Sequence, residues 1–347
     1  MLETLPYAWY SDPETLRREQ ERIFRSSWQY AGHTGELDGP GSYFTTVVGL
    51  TPIVVTRARD GVLRAFVNVC RHRGFTVAQG AGRRETLQCA YHAWTYGLDG
   101  RLRAAPRSEL EPGFDKDELG LAPASVGTWG PFVFANAQAD APPLADALGE
   151  MPARVAELGL DVDALEFRLR ADSELEANWK IVCENFLECY HCAVAHPDLA
   201  ESIDVSFDAY RLETNGLVST QLAPVRDEVT SHYDGRGELP HGQFHFLWPN
   251  TAVNMLPGRP NLSIGPVIPL APTRTARFLD YFFAPGEEQG WIDQLLEFDG
   301  QVGAEDRVLV EGVQRGVAAG VLARGRILER SEQLIRHFQE LTAAALA

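Results

Sequence analysis

The chain has 347 residues, enough for about two domains, and 45% of them are hydrophobic, with seven Trp and seventeen Phe to fill cores. Lys plus Arg number 31 against 48 Asp plus Glu, a formal charge of −17 that repels a phosphate backbone and excludes DNA or RNA as a partner. No stretch approaches the roughly eighteen uncharged apolar residues of a membrane span, and the first ten residues lack the regions of a signal peptide, so a soluble, cytoplasmic protein without a membrane partner is expected.

Residues 13–28, P-E-T-L-R-R-E-Q-E-R-I-F-R-S-S-W, predict an amphipathic helix that buries Leu16, Ile23, Phe24 and Trp28. From 41 to about 134 the pattern turns to short strands separated by glycine turns, including S-Y-F-T-T-V-V and T-P-I-V-V-T-R, which predicts an all-β module. An Ala- and Pro-rich connector follows over 137–160. Beyond it the sequence predicts a helix over 179–192, strands at 244–248 and 277–283, a helix over 291–316 and another after 323. Strands mixed with long helices make this half an α+β domain whose sheet packs on a C-terminal helix.

The all-β module carries Cys70-Arg-His72 and Cys89-Ala-Tyr-His92, two Cys/His pairs with sixteen residues between them. A Rieske [2Fe–2S] centre binds one iron through two cysteines and the other through two histidines. Each loop here donates one of each kind. Apolar strands deliver both cysteines, and Gly74, Gly80 and Gly82 permit tight turns between them. Mixed Cys/His sets also bind zinc, although zinc loops pair like with like. Five cysteines are an odd count, and with two claimed by the cluster no disulfide framework is expected.

Residues 178–197, N-W-K-I-V-C-E-N-F-L-E-C-Y-H-C-A-V-A-H-P, carry a second signal. On a helix Glu188 and His191 share a face, with Glu184 on the same stripe. Pro197 forces the helix to end or bend before His196, which lets that side chain turn back toward His191. A non-haem Fe(II) site needs two histidines and one carboxylate, with positions left open for O2 and substrate. The carboxylate is Asp306, in G-A-E-D-R-V-L-V-E-G-V-Q of a late helix, or else Glu305 or Glu188. A lone histidine on a helix is ordinarily structural, but a one-electron carrier in the same chain needs something to reduce. His241 and His245, on one side of a strand with Gln243, are either pocket residues or ordinary polar positions. Cys183, Cys189 and Cys192 are assigned no chemistry.

Together, C-R-H-R-G, C-A-Y-H-A-W and E-N-F-L-E-C-Y-H-C-x4-H-P, in this order, resemble the large (alpha) subunit of Rieske non-haem iron oxygenases, the ring-hydroxylating oxygenase family. The likeness covers nearly the whole chain. It implies an N-terminal helical segment (1–36) packed on the catalytic domain, a Rieske domain (37–149), and a catalytic domain (150–347) of helix-grip fold, an antiparallel sheet around a long C-terminal helix. It further implies a [2Fe–2S] cluster on Cys70, His72, Cys89 and His92, and mononuclear Fe(II) on His191, His196 and Asp306. The resemblance also implies a homotrimer in which Glu188, by its position in the motif, bridges His191 to His92 of the partner subunit, with Asn185 near the iron. The same resemblance implies that NAD(P)H acts through a separate flavin/iron–sulfur reductase, directly or through a ferredoxin. The implied activity is hydroxylation of a small organic substrate with O2; a Rieske electron carrier, the alternative, needs only about the first 150 residues. Many aromatic-ring dioxygenases have Asp at the bridge. Glu188 is instead similar to the branch that oxidises quaternary ammonium compounds such as choline, glycine betaine or carnitine, while an aromatic acid or ring is the other substrate class. Phe244, Phe246 and Trp248, with Tyr281 and Phe283, are candidates for a cation cage.

Overall fold

Short apolar strands and glycine turns give residues 24–144 a seven-stranded antiparallel sheet. Its order is Gln29–His33, Phe132–Asn136, Pro123–Trp129, Leu63–Val67, Thr51–Arg57, Ser42–Val48, Ala81–Arg83. In the computed structural model, which describes residues 2–226, 233 and 235–347, this is one of two units, Phe24–Leu144; the other is Met1–Ile23 with Ala145–Ala347. Thr51–Arg57 is apolar without alternation because both its faces are covered. Ile53 and Val55 pack with Phe44 and Val133, while Val54 packs with Phe66, Leu87 and Tyr96. The second of these cores also holds Cys70 and Cys89. A three-stranded sheet, Thr86–Gln88, Thr95–Gly97 and Leu102–Ala104, completes the unit.

Gln29–His33 pairs with Phe132–Asn136, which places residues 24–36 here and not with the helical segment before them. The predicted helix over 13–28 accordingly stops early. It spans Pro13–Arg22, with Asp12 accepting from the amides of Glu14 and Thr15 and Pro13 opening the first turn. Phe24 and Trp28 belong to the β unit, where the Trp28 indole donates to the Pro142 carbonyl at 2.8 Å. The connector expected over 137–160 is itself partly helical, at Leu144–Leu148 and Met151–Glu157.

The other unit is built on a second antiparallel sheet, in the order Glu166–Leu175, Arg274–Phe283, Asn261–Ala271, Thr251–Met255, His241–Leu247, Val218–Pro224, Arg211–Asn215. One face of Arg274–Phe283 packs Leu279, Tyr281 and Phe283 against Ile292, Leu295 and Phe298 of the long helix Gln289–Ala318. The helix Gln333–Leu346 follows, its Phe338 packed on Trp179 and Phe246. Helix Pro13–Arg22 is pinned to this unit by a buried charge pair. Glu19 meets Lys180 Nζ at 2.6 Å and accepts from Trp179 Nε1 at 2.7 Å, and all three side chains are sealed from solvent.

The helix predicted over 179–192 runs only from Trp179 to Phe186. Its end has a local cause: the Glu188 carboxylate accepts from the amides of Tyr190 and His191, replacing the main-chain acceptors that a continuing helix supplies. Two short helices follow, Cys192–Ala195 and Pro197–Ser202. Among the described residues no helix is long and apolar enough to cross a membrane.

Candidate metal centres

The two loops of the β unit are built alike. Cys70 N donates to Phe75 O and Gly74 N back to Cys70 O; Cys89 N donates to Trp94 O and Ala93 N back to Cys89 O. Four residues after each cysteine the chain turns left-handed, at Gly74 (φ 74°) and at Ala93 (φ 58°). Glycine takes that conformation freely, and at Ala93 the loop imposes it on a residue with a Cβ. Cys70 and Cys89 are buried free thiols, whereas His72 and His92 stand at the surface with ring centroids 4.5 Å apart. Trp94 stacks on His72 at 4.9 Å. Two inner sulfurs and two outer imidazoles fit a Rieske [2Fe–2S] cluster with its histidine-bound iron outermost.

Tyr96, which the motif does not contain, places its hydroxyl 3.2 Å from Cys70 Sγ and accepts from Arg71 N at 3.0 Å. A hydrogen bond to a ligand sulfur favours the more negative, reduced cluster. Tyr96→Phe is therefore expected to lower the midpoint potential by roughly 20–60 mV, the one-electron equivalent of a hydrogen bond of about 0.5–1.5 kcal/mol. Redox titration of the reduced cluster's electron-spin signal reads this, and an unchanged potential would remove Tyr96 from the tuning of the centre.

In the other unit, His191, His196 and Asp306 bring one ligand atom each within 4.8 Å of one another. The two Nε2 atoms are 3.1 Å apart, and Asp306 Oδ1 lies 3.1 Å from that of His196 and 3.5 Å from that of His191. Each Nδ1 is held from behind by a carboxylate, His191 by Glu188 and His196 by Glu305 at 2.7 Å. Asn185 Nδ2 donates to Asp306 Oδ1 at 2.7 Å. Of the three acids weighed as the third donor, Asp306 thus faces both Nε2 atoms, while Glu188 and Glu305 orient imidazoles. This donor set, two imidazoles and one carboxylate, suits Fe(II). Glu184 points elsewhere, into a buried network with Tyr10 Oη at 2.7 Å and Gln339 Nε2 at 2.8 Å, and burial pushes its carboxyl up to about 7. Removing a carboxylate behind a metal-binding imidazole ordinarily costs about 10- to 100-fold in metal affinity. Glu305→Ala is expected to lose that much in a chelator competition, and full retention would deny Glu305 this role.

A cavity of about 110 Å³ opens beside the three donors, lined among others by Phe186, Tyr210, Phe244, Arg277 and Asp299. Of the cage candidates only Phe244 reaches it. Phe246 is buried against Phe186 and Phe338, and the Trp248 indole donates to Thr342 Oγ1. Tyr281 donates its hydroxyl to Asp299, whose carboxyl pKa burial raises, and Phe283 stays in the core. His245 is buried on Thr220 Oγ1 at 2.9 Å, with its pKa pushed down to about 4 by burial; neither it nor His241 lines the cavity. One disulfide corrects the cysteine reading. The turn after Leu187 brings the Cα atoms of Cys189 and Cys192 to 4.9 Å, and they are bonded; Cys183 stays a free, buried thiol.

Residues 27–114 match the family description "Rieske [2Fe-2S] domain" and residues 162–347 match "Ring hydroxylating alpha subunit (catalytic domain)". The chain belongs to the ring-hydroxylating oxygenase alpha-subunit family. Its cofactors are accordingly a Rieske cluster and a mononuclear iron, and it is an oxygenase, not a bare electron carrier. The carnitine monooxygenase oxygenase subunit of Escherichia coli K12 is 33% identical over 98% of this chain and 93% of its own length. The chloroplastic choline monooxygenase of Beta vulgaris is 33% identical over 96% of this chain and 75% of its own. Among solved structures, the quaternary ammonium Rieske monooxygenase CntA with bound inhibitor superposes with a TM-score of 0.89 at 33% identity, covering 99% of this chain and 96% of that one. A Rhodococcus naphthalene 1,2-dioxygenase, with a TM-score of 0.82 at 20% identity over 99% of this chain and 94% of its own, shares the fold. Within this family, then, the helix-grip sheet and long helix are the frame of an oxygenase site.

Proposed function

We propose that this chain is the oxygenase component of a quaternary ammonium monooxygenase that works in the cytoplasm as a homotrimer with a separate NAD(P)H-dependent reductase. The cavity beside the metal donors carries the substrate class. Phe186, Tyr210 and Phe244 line it together with the half-buried acid Asp299, and aromatic rings beside a carboxylate attract a methylated cation that has no hydrogen-bond donor to offer. Near-full-length likeness to carnitine and choline monooxygenases supports the same class, as does glutamate at position 188.

Cys70, His72, Cys89 and His92 hold the cluster, and His191, His196 and Asp306 hold the iron. Bound there, the cluster supplies single electrons and the iron supplies O2 activation. Glu188 and Glu305 fix both imidazoles by Nδ1 so that Nε2 faces the metal, and Asn185 fixes Asp306. Three protein donors leave positions open toward the cavity. One oxygen atom enters a substrate C–H bond and the other leaves as water, consuming two electrons and two protons; hydroxylation of an N-methyl group then releases formaldehyde. His92, exposed on the β unit, would be the outermost holder of the cluster, and Glu188, which holds His191, would be the group that faces the partner's His92. A solved quaternary ammonium Rieske monooxygenase has been described in terms of inter-subunit electron transfer.

Single turnover tests the reading. Chemically reduced, cluster- and iron-loaded protein, mixed with O2, is expected to oxidise γ-butyrobetaine, L-carnitine or choline and to leave aromatic acids untouched. Oxidation of aromatic acids alone would overturn the ammonium assignment.

A further inference from the structure

The inward row of the strand Arg274–Phe283 reads Arg277, Leu279, Tyr281, Phe283, and three of these four pack in the core against the long helix. Alternation demands an apolar residue at the first place, yet it holds a guanidinium. The strand lies inside the sheet, Arg277 being flanked by Ser173 on one side and Val267 on the other. No open edge draws the side chain out to water.

Arg277 is half-buried and lines the same cavity as His191, His196 and Asp306. Among the described residues it makes no hydrogen bond and no ion pair within 4 Å, although its charge acts on the Asp299 carboxyl across the cavity. The next cation on this sheet differs in that respect: Arg170 forms a two-pronged pair with Asp280 on the opposite face, at 2.6 and 2.7 Å. None of the Arg277 guanidinium nitrogens is sealed from solvent, so a ligand in the cavity can reach them. The planar fork of a guanidinium matches one ligand group above others, a carboxylate bound through two parallel hydrogen bonds.

We propose that Arg277 binds a carboxylate of the substrate, so that the iron pocket selects a zwitterion, an ammonium compound with an acid at its other end, over an alcohol such as choline. This rests on the ammonium reading above and narrows it. The aromatic side chains and Asp299 take the cation; Arg277 takes the anion.

A matched pair of probes isolates the carboxylate: γ-butyrobetaine, a ligand of the related CntA, and its methyl ester, which keeps the cation and the chain length but loses the negative charge. Calorimetry on the cluster- and iron-loaded trimer, kept free of O2, should find the acid bound roughly 10- to 100-fold more tightly than the ester, the range of a charge-assisted hydrogen bond. Arg277→Gln should bring that ratio toward one and Arg277→Lys should restore part of it, with the same ratios appearing in KM under O2. An acid-to-ester ratio near one in the wild type, or a wild-type ratio preserved in Arg277→Gln, overturns the proposal. Turnover of both compounds without preference sinks this inference alone; turnover of neither sinks the ammonium reading together with it.

Discussion

Asp306→Ala protein is expected to keep its red-brown colour and reduced Rieske signal while consuming no O2 with any substrate. Iron analysis should fall from about three atoms per chain to about two, the pair left in the cluster. No neighbouring acid can take over. Glu305 already holds Nδ1 of His196 and Glu188 holds Nδ1 of His191, so either would have to abandon an imidazole in order to replace the missing donor. Asn185, which donates to Asp306 Oδ1, would also lose its acceptor. Three irons and unchanged substrate-dependent O2 uptake in Asp306→Ala would disqualify this carboxylate as a ligand.

Glu19→Ala is expected to destabilise the catalytic unit by about 3–5 kcal/mol, because it leaves the Lys180 ammonium buried without its counter-charge. Among the described residues Lys180 Nζ keeps one hydrogen-bond acceptor, the Trp9 carbonyl at 3.0 Å, beside the Tyr10 and Trp179 rings, and Trp179 Nε1 loses its acceptor. Denaturant titration of the variant should show a lower midpoint with an unchanged slope. Replacing both partners, Glu19→Leu with Lys180→Met, should recover most of the loss, since apolar side chains of similar volume avoid desolvating two charges. A double variant no more stable than Glu19→Ala would contradict this account of the pair.

The donors proposed for both metal centres could be picked out of the sequence because they cluster within a few positions. Cys70 with His72, Cys89 with His92, and His191 with His196 each sit on one loop or turn, so local spacing already records their convergence. Asp306 was reachable because its helix has a clear apolar pattern. Residues joined to a centre only by sheet register left no such trace. Tyr96 of the small sheet reaches Cys70 on the other cluster loop, and Arg277 of a central strand lines the same cavity as Asp299 of the long helix. For Asp299 one signal existed: it lies seven positions before Asp306, two turns along the same helix face. Alternation put Phe244, Phe246 and Trp248 on one face of a strand, but it says nothing about depth along that strand, so only the first borders the cavity. Periodicity likewise extended the helix past Phe186, blind to the two amides claimed by Glu188.

Those carboxylates behind the imidazoles also set the electrostatics of the centre. Asp306, Glu188 and Glu305 place three formal negative charges around a divalent ion and two neutral rings, which leaves the occupied site one charge short of neutrality. Asp299 and Arg277, further along the cavity, offset each other. A zwitterionic substrate adds no net charge, so that single negative charge persists in the loaded pocket and draws the trimethylammonium end toward the metal, while the carboxylate end is drawn to Arg277.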